Sequence, residues 1–187
     1  MHEFMSLDGV IDEPTWTAEY GFDPKMGEAI GAAMAGCRGL LLGRTTYEMF
    51  EPAWSTRTAD DDPGAPFFND SPKYVVSGTL RTTNWRNSTV IGPYDADGIR
   101  RLKEDTDGDL YVSGSGTLVR AMLADDLVDE LHLFVYPFTR GTGPRLFPDG
   151  AAPKMLALAA SASYENGVVY LGYRLQASPG GAAVAGR

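Results

Sequence analysis

Gly39-Leu40-Leu41-Leu42-Gly43-Arg44-Thr45-Thr46-Tyr47-Glu48 is the stretch on which the reading of this chain turns. Its first four residues show no alternation of apolar and polar side chains. A short continuous apolar run of that kind marks a strand covered on both faces. A glycine then breaks the run, and Thr45 onward carries a helical pattern. Two other stretches repeat the step: Val76-Ser77-Gly78-Thr79-Leu80 and Ser113-Gly114-Ser115-Gly116-Thr117-Leu118.

Working outward, strand patterns fall at residues 2–6, 39–42, 73–77, 88–91, 110–113 and 130–136, then at 154–163 and 168–175. Helical patterns lie between the earlier ones, at 24–35, 45–51, 95–104 and 117–124. In the first of these, Met26, Ala29, Ile30, Ala33 and Met34 make one apolar face. Strands that alternate with helices predict an α/β domain in three layers with a mostly parallel sheet. The last three strands have no helices between them, and Asn166-Gly167 is a hairpin turn signal, so the sheet is expected to end in an antiparallel hairpin. Residues 55–72 hold Pro63, Pro66 and Pro72 and the run Asp60-Asp61-Asp62. They read as a long surface loop with a helical turn near Phe67-Phe68. The domain is expected over residues 1–177, and the Gly/Ala-rich stretch 178–187 reads as a disordered tail.

The chain has 187 residues, 43% of them hydrophobic and 22% charged, which suits one globular domain. Its net charge of −9 and lack of any basic run argue against nucleic acid or an anionic membrane surface as partner. The single cysteine, Cys37, excludes an intramolecular disulfide and reads as a buried small hydrophobe. No metal cluster is expected. Without a long apolar span or a signal-peptide pattern, the cytoplasm is the expected compartment.

Each glycine step admits two readings, a capped tight turn or part of an anion site. Glycine lets a phosphate approach the backbone, and the following helix presents unpaired N–H groups and its positive dipole end. Three such steps at strand carboxyl ends, where open α/β sheets bind ligands, favour a joint anion site. Val119 occupies the third glycine position of the usual dinucleotide fingerprint, and there is no phosphate-loop lysine, so neither standard motif applies.

The steps occur in register with Ser6-Leu7-Asp8-Gly9-Val10-Ile11, Lys73-Tyr74-Val75-Val76-Ser77 and Asp129-Glu130-Leu131-His132-Leu133. Together these motifs resemble the dihydrofolate-reductase-like family, in the branch related to the C-terminal reductase domain of the bifunctional riboflavin-biosynthesis deaminase–reductase. The resemblance implies an NADPH-dependent reductase that transfers hydride to a small planar substrate. It implies that Gly43, Arg44, Thr45 and Thr46 hold the adenosine side and the pyrophosphate, and that Gly114, Ser115, Gly116, Thr117 and Leu118 cradle the pyrophosphate. Ser77 and Arg81 would meet the 2′-phosphate, and Ile11 would flank the nicotinamide. The His/Cys zinc constellation of the deaminase half is absent from the sequence. A non-catalytic nucleotide-binding module and a true dihydrofolate reductase stand as the alternatives.

No residue is assigned the role of proton donor. Candidates for the substrate side are Asp8, which reads equally as a turn cap, Glu28, which lies off its helix's apolar face, and Trp16, as a stacking surface or a loop anchor. Phe134 and Tyr136 share one strand face that points to a pocket or a helix. His132, between two leucines, reads as packing. The strand at 154–163 appears apolar on both faces and must then be covered twice, which predicts a homodimer through that edge.

Overall fold

The computed structural model describes residues 1–11 and 14–176. The eight strands are β1 (His2–Ser6), β2 (Cys37–Gly43), β3 (Lys73–Val76), β4 (Ser88–Gly92), β5 (Asp109–Tyr111), β6 (Glu130–Tyr136), β7 (Leu156–Ser163) and β8 (Val169–Leu175). The helices are α1 (Pro24–Met34), α2 (Arg44–Trp54), α3 (Ala65–Asp70), α4 (Ala96–Asp105) and α5 (Gly116–Ala124), with a 3-10 helix at Pro14–Tyr20. The helical turn expected near Phe67-Phe68 is α3. The expected tail lies outside the described residues.

The strands form two four-stranded sheets, β4-β3-β2-β5 and β1-β6-β8-β7. The first is wholly parallel. In the second, β1 and β6 are parallel while β8 and β7 add an antiparallel hairpin. Among the described residues, a single bridge, His2 to Ser113, joins the two sheets, with the His2 amide donating to the Val112 carbonyl at 2.7 Å. That bridge lies beyond the last residue of β5, so Glu3 onward runs past the end of the neighbouring strand. The seam between the sheets therefore opens into a crevice.

Both faces of the first sheet are covered. Leu40, Leu41 and Leu42 are all fully buried. Leu40 and Leu42 pack with Tyr47 of α2 and Phe68 of α3, whereas Leu41 packs with Ile99 of α4 and Leu118 of α5. The unalternating run thus reflects a helix layer on each side, three layers in all. A third cluster sets Met26 of α1 and Trp16 against Phe134, Tyr136 and Tyr170.

β7 is left uncovered within the single chain: from Leu158 to Ser163 the strand is exposed, and Leu158 itself is 58% exposed. Four of its eight residues are alanine or leucine positions facing no second layer; alanine has so little side chain that leaving it in water costs little. Nor does the segment between α2 and β3 cover this edge, because Phe68 anchors it over β2 and β3 instead.

Candidate active site

The crevice has a volume of about 680 Å³. Its floor is made where β2 and the segment after β5 end side by side. Gly114 and Ser115 both adopt left-handed backbone, at φ 57° and 58°, and their amides donate within the protein, to the His2 carbonyl at 3.3 Å and to Thr46 Oγ1 at 2.9 Å. The two turns are locked together by the second of these bonds and by the Gly43 amide, which donates to Ser115 Oγ at 3.0 Å. At Gly116 a Cβ would stand 2.6 Å from Ile11 Cδ1, so any larger residue there would have to push the end of the Ile11 side chain aside.

Helix starts differ across the molecule in a telling way. Asp23 caps α1 and Asp95 caps α4 through side-chain hydrogen bonds. By contrast, Gly43 before α2 and Ser115 before α5 make no such bond. α3, begun by Gly64, also lacks such a bond, but of the three uncapped helices only α2 and α5 open onto the crevice. Their first-turn N–H groups and positive dipole ends are offered to a ligand, the arrangement that binds phosphate.

Most of the expected cofactor residues come together here. Gly43 to Thr46, Ser77, Gly114 to Leu118 and Ile11 all line the crevice. Arg44 is held at the rim, donating to Glu48 at 2.8 Å and to Thr79 at 2.8 Å. Ser77 Oγ accepts from the Leu80 and Thr79 amides and shapes its own turn. Pro93 and Tyr94 close that end. Arg81 is exposed and is not part of the wall, because the turn carries the chain outward after Leu80.

The expected substrate-side residues fall elsewhere. Asp8 is a loop clamp: its carboxylate accepts from Ser6 Oγ at 2.6 Å and from the Arg140 and Gly141 amides at 3.0 and 2.8 Å. Those donors, Ser6 first, hold its carboxyl well below the usual carboxylate range. Glu28 is exposed on α1. Trp16 packs edge-on against Tyr136 and Phe138, and Phe134 and Tyr136 are buried in the same aromatic cluster. None of these five lines the crevice.

The wall contains instead residues that strand periodicity alone did not single out: His2, Glu3 and Phe4 of β1, and Arg120 of α5. His2 is buried, its Nδ1 2.9 Å from the Tyr111 hydroxyl and 3.3 Å from Ser113 Oγ, while Nε2 has no protein partner. Burial pushes its pKa down to about 3. Glu3 is 3% exposed and its Oε2 also lacks a partner. Burial pushes its carboxyl up to about 8, against the opposing pull of the Phe4 amide and of Arg120. The available signal was an acid inside a short, largely buried strand, a place acids rarely occupy unpaired. Among the described residues, no group of three His, Cys, Asp or Glu side chains is placed to hold a metal ion, and no helix is long and apolar enough to cross a membrane.

Comparison with known proteins agrees with this architecture. At 25% identity, the chain is similar to the Bacillus subtilis proteins YyaP, over 90% of both chains, and YwjB, over 69% of both. Its fold matches that of a putative riboflavin biosynthesis protein from Shewanella sp. PV-4, with a TM-score of 0.75, 19% identity, and coverage of 94% of this chain and 97% of that one. It also matches the Thermotoga maritima diaminohydroxyphosphoribosylaminopyrimidine deaminase/5-amino-6-(5-phosphoribosylamino)uracil reductase, with a TM-score of 0.65 at 15% identity. That match covers 94% of this chain and 55% of the larger protein. The fold is the dihydrofolate-reductase-like one. Residues 1–170 match the RibD C-terminal domain, and the chain belongs to that family.

Proposed function

We propose that the protein is an NADPH-dependent reductase that transfers hydride to a small planar substrate of pterin, pyrimidine or related type. One observation carries the reading: two uncapped helix N-termini, interlocked through Gly43, Thr46 and Ser115, converge on a single crevice. Such a floor suits a pyrophosphate. Arg44 and Ser77 at one end suit the 2′-phosphate, since a guanidinium grips phosphate through two hydrogen bonds and stays charged. The bound dihydronicotinamide supplies the hydride; the chain supplies orientation and a shielded pocket. Membership of the RibD C-terminal domain family supports reductase chemistry.

Titration calorimetry tests the reading. NADPH is expected to bind more tightly than NADH, and Arg44→Ala to weaken NADPH by about 1.5–3 kcal/mol, the range for a hydrogen bond to a charged group. Equal or tighter NADH binding would overturn the 2′-phosphate assignment. Screening pterins, pyrimidines and quinones for NADPH oxidation then sorts substrates.

The same reading extends to assembly as a homodimer through β7. Met155 and Leu158 are 59% and 58% exposed beside a strand edge that pairs with nothing on its outer side among the described residues. Such an edge invites a second strand or a second copy. Sedimentation velocity at micromolar concentration is expected to give a dimer, and Leu158→Lys a monomer. A wild-type species of 20.2 kDa would end the idea.

A further inference from the structure

Among the described residues, Glu3 is the one acid on the wall of the crevice, and no hydrogen bond or ion pair between side chains accounts for its position. It sits on β1 just past the bridge to Ser113, where the seam opens, and its carboxyl is buried with Oε2 unpartnered. A buried polar atom left without a partner is costly and needs a reason. The charged groups that face it are Arg120 of α5 and the amino group of Met1; Arg120 itself donates to the Arg145 carbonyl and to Thr117 Oγ1, both at 3.3 Å. Ile11 and Arg120 meet at Gly116 and Arg120 faces Glu3 beside the seam, whereas Ser77 follows β3, which lies on the far side of β2 from that seam. With the pyrophosphate on the glycine floor and the 2′-phosphate at Ser77, the redox ring falls at the Glu3 end.

On the reductase reading above, we propose that Glu3 is the acid of the reaction: its carboxyl delivers the proton that accompanies hydride transfer, and lets it go because the ring beside it becomes cationic. The substrate carbon of a C=N or C=O bond gains the hydride, and the π pair moves onto nitrogen or oxygen. That atom takes the proton from Glu3, and the O–H bond breaks to leave a carboxylate. NADPH is oxidised to NADP⁺ and the substrate is reduced by two electrons and one proton beyond the hydride's own hydrogen. The carboxylate left behind faces a pyridinium and Arg120, both of which stabilise it, and solvent reprotonates it once the oxidised cofactor leaves. A general acid works best when its pKa lies near the working pH. Burial holds Glu3 near that point before turnover, and an adjacent positive charge is the change that would pull its proton off.

The test needs no substrate. NADP⁺ and NADPH share the 2′-phosphate and pyrophosphate and differ in ring charge, so any difference in their pH dependence reports on groups beside the ring. Calorimetric titration of each between pH 6 and pH 8 is expected to show NADP⁺ tightening relative to NADPH by roughly tenfold or more as pH rises, as linkage requires when one ligand expels a proton. Proton release on NADP⁺ binding, read from the buffer-ionisation dependence of the heat, should accompany it. Glu3→Gln should bind NADPH as well as wild type, with the two cofactors now following the same pH dependence. Parallel pH dependence in wild type, or an unchanged difference in Glu3→Gln, would overturn the role of Glu3 while leaving the reductase reading intact. Failure of wild type to bind either cofactor would overturn both. The wild-type comparison decides the matter even if Glu3→Gln does not fold.

Discussion

The two sheets treat buried polar side chains in opposite ways. In the β4-β3-β2-β5 half, Lys73 is fully buried, yet its ammonium donates to the carbonyls of Phe68, Asn69 and Ser71 at 2.8, 3.1 and 2.9 Å and lies over the Trp85 ring. Asn69, 1% exposed, donates to the Trp54 and Arg57 carbonyls and accepts from Trp85 Nε1 at 2.7 Å. In the half begun by β1, His2 Nε2, Glu3 Oε2 and Trp16 Nε1 are buried without partners. Satisfied groups fix a structure; unsatisfied ones at the mouth of a crevice mark where a ligand completes it. Trp16 Nε1 and Ser88 Oγ are exceptions, both buried without partners away from the crevice wall, and the structure offers no account of them.

The contrast is broken most forcefully at Lys73. Lys73→Met keeps the length of the side chain but strands the Phe68 and Ser71 carbonyls at the end of α3, while the Asn69 carbonyl keeps Arg86 Nε at 3.1 Å. Each buried group left unpaired costs about 1–3 kcal/mol, so the variant is expected to lose about 4 kcal/mol in urea unfolding. A loss under about 1 kcal/mol would mean that water replaces the ammonium and that this half is less tightly specified than its hydrogen bonds suggest.

His2 and Glu3 give a second, smaller effect, and its sign follows from linkage. Glu3 is raised from an ordinary 4.5 to about 8. Between those values the native state holds more protons than the unfolded chain, so stability falls as pH rises. His2 is lowered from 6.5 to about 3. Between those values the unfolded chain holds more protons, so stability falls as pH drops. The two slopes oppose each other from pH 4.5 to 6.5, where the pair should contribute almost no net pH dependence. Glu3→Gln removes one slope. It is expected to stabilise the protein by about 2–3 kcal/mol at pH 7, and to leave a rise of about 1.4 kcal/mol per pH unit between pH 4.5 and 6.5. Urea unfolding across that range measures both. A variant less stable than wild type at pH 7 would show that Glu3 is paired in solution.

How much of this was legible in the sequence follows the same division. The unalternating Leu40-Leu41-Leu42 run revealed the helix layers on both sides, because burial on two faces leaves a mark in residue type at each position. The glycines of the floor were legible for a similar reason: Gly114 takes positive φ, and at Gly116 a Cβ would press on the end of Ile11. The wall residues were harder. Asp8 and Arg81 sit close in sequence to ligand-facing turns, but closeness along the chain does not give direction, and both point elsewhere. Glu3 acquires its meaning from β1 lying beside Ser113, a pairing of residues 111 positions apart along the chain. No local pattern encodes such a register. The acid in a buried strand was the trace it left.

The smallest expected effect probes the seam itself. Tyr111 belongs to one sheet and His2 to the other, and the 2.9 Å contact between the Tyr111 hydroxyl and His2 Nδ1 is the shorter of the two side-chain hydrogen bonds that His2 makes across the seam. Burial pushes the Tyr111 phenol up, so it remains un-ionised and able to donate. His2 is neutral, with one ring proton to place. If the phenol donates to Nδ1, the ring proton must sit on Nε2, the nitrogen that has no partner in the protein. We therefore assign the Nε2–H tautomer, which offers the crevice a donor. Tyr111→Phe removes the hydroxyl and is expected to cost about 1 kcal/mol, the usual net worth of one hydrogen bond. Its more informative consequence is the tautomer. With the phenol gone, Ser113 Oγ at 3.3 Å is the remaining partner of Nδ1. A proton moved to Nδ1 can donate to it, so the Nδ1–H form is expected to gain population. Nitrogen-15 chemical shifts of the His2 ring, read in wild type and variant at neutral pH, separate the two forms. If the wild-type ring already carries its proton on Nδ1, His2 presents an acceptor to the crevice, and a ligand must bring the donor.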